Sequence, residues 1–398
     1  MPVMLFPKVA NRSYLVSRTV STVSALIFAF IYSKELGLTN RSLVTFVMAS
    51  NLLIWILITS GTTLTIRRML IMNLDVQKRK SFNSLILIEM TLALFLFITT
   101  IELYSSLKNY LAPNYIIGSV IYCLVSGFHL IVVEMLLASN KFRLSGYLDM
   151  NTIFLQIFFF YALKVFAEVS ISVRLLISFS LSYIIIAFIG MYSISSSGNF
   201  TAGFEDPRAF FRETHGNHTI ATVLGIVDRL DRLIISWLLP ITVVGKYAVM
   251  SGLISFFRFV PDALSKIIIS SKSAAWQNYS NNPIFLLTGL TSLISGMIYS
   301  SQFLIGHILG PEWLLPWSVS FIFALQEFAR GAFQIEGNHK VSIGSSRKTH
   351  KASIILLFTA GPLSILFVIW KGVIGVPLGF LLSYTGLLLF MRKGNELV

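Results

Sequence analysis

The sequence predicts an all-α polytopic membrane protein with about twelve transmembrane helices, arranged in two six-helix lobes at residues 1–200 and 201–398. Hydrophobic residues make up 55% of the chain, charged residues only 12%, and the mean hydropathy is +0.78. Apolar stretches of about 20 residues, the length that crosses a bilayer as a helix, recur from end to end. Basic residues are concentrated in alternate connections between these stretches. Together these three observations predict the fold class.

The apolar stretches place six helices in each lobe. Those of the first lobe are predicted at Ser13–Ser33, Ser42–Thr62, Phe82–Tyr104, Tyr115–Leu137, Tyr147–Phe166 and Ile171–Ile194. Those of the second lobe are predicted at Asn217–Leu239, Val243–Lys266, Ile284–Ile305, Pro316–Ile335, Ala352–Trp370 and Val373–Met391.

The two lobes are predicted to be repeats of each other. The end of the fourth helix, MLLASNKFRLSGYLDM, is similar in outline to the end of the tenth, FQIEGNHKVSIGSSRKTH, with Asn140 matching Asn338. An even number of helices in each repeat gives both lobes the same orientation in the membrane. Such a pair encloses a central cleft.

The distribution of lysine and arginine predicts that both termini are cytoplasmic. With that orientation, 19 of the 31 basic residues fall at the cytoplasmic side and 7 at the other side, including those near helix ends, while 5 lie deep inside predicted helices. Retention of basic loops accounts for the net charge of +14, so no nucleic-acid partner is predicted. We therefore expect a multi-pass protein of the cytoplasmic (inner) cell membrane.

One predicted helix carries four charges within five residues, in IVDRLDRLIIS (Ile226–Ser236). Translocon scales assign roughly 2.5–3.5 kcal/mol to each ionised residue at mid-membrane and return only about 0.3–0.6 kcal/mol per Leu or Ile. This helix therefore needs protein partners or a water-filled cavity. Asp228, Asp231, Arg232 and Ser236 share one face, which we predict to line water. The alternative is an amphipathic helix lying at the membrane surface.

Five basic residues lie deep inside predicted helices, away from the helix ends, and all five are arginines. They are Arg18, Arg229, Arg232, Arg258 and Arg330. Arginine stays ionised and presents a planar fork of donors to phosphate or carboxylate, which favours a fixed anion-binding lining over a proton relay.

Three further helices place one of these arginines in a polar stripe whose residues are spaced by three and four. The stripes are Asn11, Tyr14, Arg18 and Ser21; Ser251, Ser255, Arg258, Asp262 and Ser265; and Gln326, Glu327, Arg330 and Gln334. We interpret the stripes as parts of a shared cavity. The alternative is that Arg258 with Asp262, and Glu327 with Arg330, are structural ion pairs.

Sequence motifs for the common enzymatic mechanisms are absent. The chain has no GxxxxGK[ST], HExxH or GxSxG motif, and its six histidines show no metal-ligand spacing. The single cysteine, Cys123, excludes an internal disulfide. We therefore predict that the protein is not an enzyme and that it uses no cofactor or metal.

The segment around the predicted seventh and eighth helices is DRLIISWLLPITVVGKYAVMSGL (Asp231–Leu253). It resembles the junction between helices seven and eight of Wzx-type polysaccharide flippases in the multidrug/oligosaccharidyl-lipid/polysaccharide (MOP) exporter superfamily. KELGLTNRSLVTFVMASNLLIWILITSG (Lys34–Gly61) is similar to its first loop and second helix, although the usual Gly-Pro is reduced to Leu36-Gly37-Leu38. The segments NKFRLSGYL and WKGVIGVPLGFLLSY (Trp370–Tyr384) also fit the family.

The resemblance implies a MOP/MATE-like fold with helices one, two, seven and eight around a central cavity. It implies a flippase that moves a polyprenyl-diphosphate-linked oligosaccharide to the outer leaflet through an arginine-lined cavity, by alternating access. Expected partners are that lipid-linked oligosaccharide, membrane lipids and other polysaccharide-assembly membrane proteins. The alternatives are a MATE-like multidrug or cation exporter of the same fold and a membrane glycan polymerase or acyltransferase.

On this interpretation, eleven side chains are expected to bind substrate. Arg18, Arg229, Arg232 and Arg258 are expected to bind the diphosphate, Tyr14, Tyr247, Gln326 and Gln334 to contact sugars or line their path, and Arg330, Asp228 and Asp231 to complete the set.

Overall fold

The chain is helical throughout most of the part that the structure describes. The computed structural model describes residues 8–71, 76–108, 112–138, 141–166, 168–195, 225–227, 229–256, 294, 296–342 and 346–393. None of these residues lies in a β-strand. The predicted all-α fold class is therefore confirmed.

The helices follow the apolar stretches closely, because the bilayer thickness fixes the length of each apolar run. In the first half they are α1 (Lys8–Ile71), α2 (Val76–Lys108), α3 (Pro113–Ala138), α4 (Phe142–Phe166) and α5 (Ile171–Ser195). In the second half they are α6 (residues 229–238), α7 (Ile241–Phe256), α8 (residues 296–308), α9 (Trp317–Ser342), α10 (Ser346–Lys371) and α11 (Gly375–Lys393). Predicted helical residues 217–224, 257–266 and 284–293 lie outside the described part.

Two of these apolar stretches are long enough to cross a membrane twice. Six spans in the described residues have the length and composition of transmembrane helices, and two of them, Thr19–Ile58 and Lys351–Met391, contain 40 and 41 residues. Since one crossing needs about 20 residues, each of these two spans corresponds to a pair of predicted helices. The first is broken at Gly37 and the second at Gly372, where φ is 68° and 65° respectively. Glycine adopts this left-handed region without steric cost, so one helix can end and the next begin at a single residue.

The chain forms two compact units. Unit 1 comprises Met1–Leu36 and Val47–Thr222, and unit 2 comprises Gly37–Phe46 and Val223–Val398. The boundary predicted between residues 200 and 201 stays a prediction. The short segment Gly37–Phe46, which we call the exchanged segment, belongs to the unit that is otherwise built from the second half of the chain.

The exchanged segment packs on the first turns of α7. The Ser42 hydroxyl bonds to the backbone carbonyl of Ile241 and also to that of Leu38, at 2.8 Å. Gly245 makes this packing possible, because a Cβ at that position would lie 2.6 Å from the Leu38 carbonyl oxygen. Small residues at a helix contact let two backbones approach closely in a membrane protein.

In unit 1, the indole of Trp55 lies directly over the backbone of Gly127 in α3. A Cβ at Gly127 would be only 1.8 Å from Trp55 Cζ2, and Trp55 Nε1 donates to the Cys123 carbonyl at 3.0 Å. One turn earlier on α1, Asn51 Nδ2 donates to Ser126 Oγ at 2.8 Å. These bonds satisfy polar groups that water cannot reach.

In unit 2, α10 and α11 form a hairpin in which glycines allow backbone contact. A Cβ at Gly375 would lie 2.2 Å from the carbonyl carbon of Phe367, and one at Gly379 would lie 2.5 Å from the backbone nitrogen of Ser364. The spacing of four residues places both glycines on one face of α11. This is the small-xxx-small pattern of tightly packed membrane helices.

A π turn at Ser300–Leu304 interrupts α8. Gln302, in this turn, donates from Nε2 to the Leu315 carbonyl at 3.1 Å and to Ser320 Oγ at 2.6 Å. The exposed rings of Tyr299 and Phe303 stack with centroids 4.9 Å apart. The turn thus fixes one side of α8 by polar bonds and presents aromatic rings on another.

Candidate functional site

Unit 2 contains a buried polar cluster formed by Asp231 of α6, Tyr247 of α7, and Gln326 and Glu327 of α9. Each of these four side chains is at most 5% exposed. Such residues inside a membrane protein are costly unless they are bonded to one another, and they mark functional sites by default. The cluster is therefore the first candidate for the site.

The connection between α6 and α7 brings Asp231 and Tyr247 together. Proline cannot continue the ladder of a preceding helix, and the carbonyl of Pro240 accepts from the backbone N–H of Val243, at 2.9 Å, to begin α7. The reversed chain then places the Tyr247 hydroxyl where it donates to Asp231 Oδ2 at 3.3 Å. The other carboxylate oxygen, Oδ1, accepts from the Arg232 backbone N–H at 2.7 Å.

Helix α9 supplies the other side of the cluster. Phe323 meets the Tyr247 ring edge to face, with centroids 5.5 Å apart and planes at 89°. Glu327 lies one turn further along α9 and is close enough for its charge to act on the Tyr247 hydroxyl, as do the charges of Asp231 and Arg232. Within the cluster, the phenol thus bonds directly to the Asp231 carboxylate, with the charges of Glu327 and Arg232 in its surroundings.

Gln326 leaves an acceptor unused inside the cluster. Its Nε2 donates to Glu327 Oε1 at 3.4 Å, whereas its own Oε1 is enclosed and has no hydrogen-bond partner among the described residues. A buried carbonyl without a donor costs free energy, about 1–3 kcal/mol in proteins. This oxygen is thus available to a donor or a cation that enters the cluster.

The structure brings four residues of the predicted polar stripes and charged helix into one region of unit 2: Asp231, Arg232, Gln326 and Glu327. Tyr247, predicted separately as a sugar contact, lies in the same region. Arg229 and Arg232 are half-buried on α6, and Arg330 and Gln334 are described on α9, one and two turns beyond Gln326.

The structure does not describe the side chains of four predicted site residues. Tyr14 and Arg18 lie on α1 in unit 1, and only the backbone of these two residues is described. Asp228 and Arg258 lie outside the described residues. The roles predicted for these four residues stay predictions.

The polar face of α6 contains both buried and half-buried residues. Asp231 and Ser236, both assigned to that face, are buried in unit 2, and the Ser236 hydroxyl donates to the Arg232 carbonyl at 2.7 Å. Arg232, on the same face, is half-buried, and Ile234, on the predicted apolar side, is buried. That this face lines water stays a prediction, as does its alternative, a helix at the membrane surface.

Glu327 is missing from the predicted set of site residues. The polar stripe of α9 included it, but an ion pair with Arg330, one turn away, was the competing interpretation. Its closeness to Tyr247 depends on how α7 and α9 pack, which spacing along one helix does not contain. The sequence feature that could have identified Glu327 as a site residue is the adjacent polar pair Gln326-Glu327 within an apolar helix.

Comparison with known proteins identifies the fold. No protein-family model matches the chain, and no curated protein sequence matches it. Among solved structures, the lipid II flippase MurJ in an inward closed conformation superposes with a TM-score of 0.73 at 15% identity, covering 96% of this chain and 87% of that one. A single-residue mutant of the Vibrio cholerae MATE transporter VcmN gives a TM-score of 0.66 at 13% identity, with 97% of each chain covered.

A multidrug resistance MATE family transporter of the MOP superfamily, in an inward-facing conformation, gives a TM-score of 0.57 at 12% identity, with 94% of each chain covered. All three neighbours are membrane transporters, and they match nearly the whole of this chain. The chain therefore has the all-helical fold of MOP-superfamily transporters.

Proposed function

We propose that the protein is a flippase that moves a polyprenyl-diphosphate-linked oligosaccharide across the cytoplasmic membrane by alternating access. The observation that carries this proposal is the concentration of arginine and buried polar groups on α6, α7 and α9 of a transporter fold. A sugar diphosphate that crossed bare hydrocarbon would lose hydration worth about 20 kcal/mol or more by Born estimates. An arginine-lined path removes most of that cost.

The guanidinium groups of Arg229 and Arg232 are the proposed diphosphate ligands in unit 2. Both are half-buried, so each retains access to solvent while lying next to a low-dielectric interior. Arginine donates two parallel hydrogen bonds to phosphate, which gives orientation as well as attraction. Arg18, Arg258 and Arg330 are proposed to extend this lining.

Asp231 and Tyr247 are proposed to position the arginines. Asp231 follows Arg229 by two residues and accepts from the backbone N–H of Arg232. The Tyr247 hydroxyl is committed to Asp231, so its proposed role is to hold this carboxylate and thereby fix the turn of α6 that carries both arginines. Gln326 is the group of the cluster with an acceptor left for a sugar hydroxyl.

The test is glycan export in cells that depend on this protein, with membrane protein level measured in parallel. Arg232→Lys retains the charge but loses the fork, so export is expected to fall while protein level stays near normal. Arg232→Ala is expected to abolish export. The matched control is Lys351→Ala, which removes a cation from an exposed position of α10. Normal export by Arg232→Ala at a normal protein level would reject the proposal.

A MATE-like multidrug exporter is the second candidate, and the MATE neighbours support it by fold. A cation exporter would use the carboxylates of Asp231 and Glu327 rather than the arginines. Drug susceptibility separates the two functions. If Asp231→Asn raises drug sensitivity and leaves glycan export intact, the exporter is the correct function.

A further inference from the structure

Three charged side chains meet at one end of unit 1. Glu35 closes the first half of α1, Lys164 lies in the last turn of α4, and Arg174 lies in the first turn of α5. Lys164 Nζ is 3.4 Å from Glu35 Oε1, and Arg174 Nη2 is 3.7 Å from Glu35 Oε2. We call these three residues the Glu35 triad. With two positive charges and one negative, the triad carries a net positive charge.

Arg174 is buried without the acceptors that a guanidinium needs. It is only 8% exposed, and its Cζ lies 4.8 Å above the ring of Phe160. Among the described residues, its side chain has the contact with Glu35 at 3.7 Å but no hydrogen bond, and its Nε is fully enclosed without a partner. A guanidinium has five N–H donors, and burying them unsatisfied is costly. The Arg174 Nε–H therefore lacks an acceptor among the described residues.

Glu35 is a weak acceptor for the two cations. Its contacts with the two cations are 3.4 Å and 3.7 Å long, whereas charge-assisted N–H···O bonds are typically about 2.7–2.9 Å. Lys164 is 53% exposed and Glu35 24%, and ion pairs with that exposure contribute little to stability. The Glu35 carboxylate is therefore held only weakly by the two cations.

We propose that Arg174 and Lys164 form a binding site for a lipid-borne phosphate group, with Glu35 as its displaceable internal competitor. Phosphate matches the fork of arginine, and the flexible stem of lysine lets its ammonium follow the ligand. By length and composition, α4 and α5 can each cross a membrane. Since one crossing needs about 20 residues, we expect the end of α4 and the start of α5 at the depth of lipid phosphates. The basic distribution predicts the extracytoplasmic side for this end.

The phosphate has two sources with the same chemistry: the headgroup of a membrane phospholipid, or the diphosphate of the proposed lipid-linked substrate. Only the second source rests on the proposed function. Binding is therefore measured on the purified protein rather than through transport. A negative binding result then rejects the phosphate site, whereas a negative export result rejects the flippase proposal.

The experiment measures the thermal unfolding midpoint of the purified full chain in a phosphate-free maltoside detergent. Dihexanoyl phosphatidylglycerol and inorganic pyrophosphate are titrated separately, because a ligand that binds the folded state raises the midpoint as its concentration exceeds the dissociation constant. The variants are Glu35→Gln, Arg174→Gln and Lys164→Gln. The matched control is Glu168→Gln, which makes the same charge change at an exposed position in the α4–α5 connection.

Removal of the competitor should strengthen binding. Glu35→Gln is expected to lower the half-saturating lipid concentration roughly two- to fivefold, the effect of losing one exposed ion pair. Arg174→Gln and Lys164→Gln are expected to lose most of the shift, and Glu168→Gln to match the wild type. A shift with the lipid alone identifies a headgroup site, whereas comparable shifts with both probes identify recognition of the phosphate group itself.

Two results would overturn the proposal. One is a wild type that responds to neither probe. The other is a Glu35→Gln variant that unfolds at a lower temperature with an unchanged half-saturating concentration, because the triad would then be a structural ion pair only. If Arg174→Gln fails to fold, the lower half-saturating lipid concentration expected for Glu35→Gln still tests the proposal.

Discussion

The contact between Trp55 and Gly127 gives a quantitative test of how unit 1 packs. In Gly127→Ala, the new Cβ would begin 1.8 Å from Trp55 Cζ2 and 1.9 Å from Cε2. The indole must therefore move by about 1.6 Å to reach ordinary van der Waals contact at about 3.4 Å. Trp55 is only 1% exposed, so no open space receives it. The displacement would also stretch the bond from Trp55 Nε1 to the Cys123 carbonyl, now 3.0 Å long.

The expected cost is about 1–3 kcal/mol for overpacking and about 1 kcal/mol for the weakened hydrogen bond. Alanine is also the better helix former by up to about 1 kcal/mol, so Gly127→Ala should lower the free energy of unfolding by about 1–3 kcal/mol. The assay is thermal unfolding of the detergent-solubilised protein, followed by the loss of soluble monomer. The double variant Gly127→Ala with Trp55→Phe should recover part of the loss, because the smaller ring relieves the overlap.

Gly118→Ala is the matched control on the same helix, α3. A Cβ there would meet Val173 Cγ1 at 3.7 Å, which is ordinary contact. Since alanine is the better helix former by up to about 1 kcal/mol, this variant should be as stable as the wild type or slightly more stable. If Gly127→Ala and Gly118→Ala unfold at the same temperature, the close approach of Trp55 is wrong.

Other positions give further predictions. Gly379→Ala should destabilise the α10–α11 hairpin, because its Cβ would lie 2.5 Å from the backbone nitrogen of Ser364, which cannot rotate away; unchanged thermal stability would contradict this. Gly245→Ala should separate α7 from the exchanged segment, since its Cβ would lie 2.6 Å from the Leu38 carbonyl oxygen, and faster proteolysis of this region in detergent would report the change. A reporter fused after Lys108 should give an extracytoplasmic signal, as the basic bias predicts; a cytoplasmic signal would reject the orientation.

The membrane explains why the sequence predicted the helices well. Each span must be apolar for about 20 residues, so the sixth predicted helix of the first lobe, Ile171–Ile194, matches α5 (Ile171–Ser195). The sequence did not reveal that the connection after the first helix is little more than Gly37. A single residue in the left-handed region is enough to end one helix and begin the next. Apolar periodicity does not record that conformation.

The candidate site was only partly predicted, because spacing along one helix does not show which other helix packs against it. Helical spacing placed Asp231 and Arg232 on one face, but a polar face can meet water or a polar protein interior equally well. Which of the two applies depends on Tyr247, which reaches Asp231 only because the chain reverses at Pro240. Glu327 arrives from a helix about 80 residues further on, and no local pattern connects it with Tyr247.

The exchanged segment sets an order of assembly during synthesis. The ribosome delivers Ser42 199 residues before its partner Ile241, a delay of roughly 10–40 s at elongation rates of about 5–20 residues per second. The exchanged segment is therefore synthesised and inserted together with the first unit, although its ten residues belong to the second unit. These residues can contact their native neighbours only after α7 has been made. A gene cut between residues 222 and 223 would separate the exchanged segment from the helices on which it packs. Neither fragment would then be complete by itself, and the native packing would form only when both are made in the same cell.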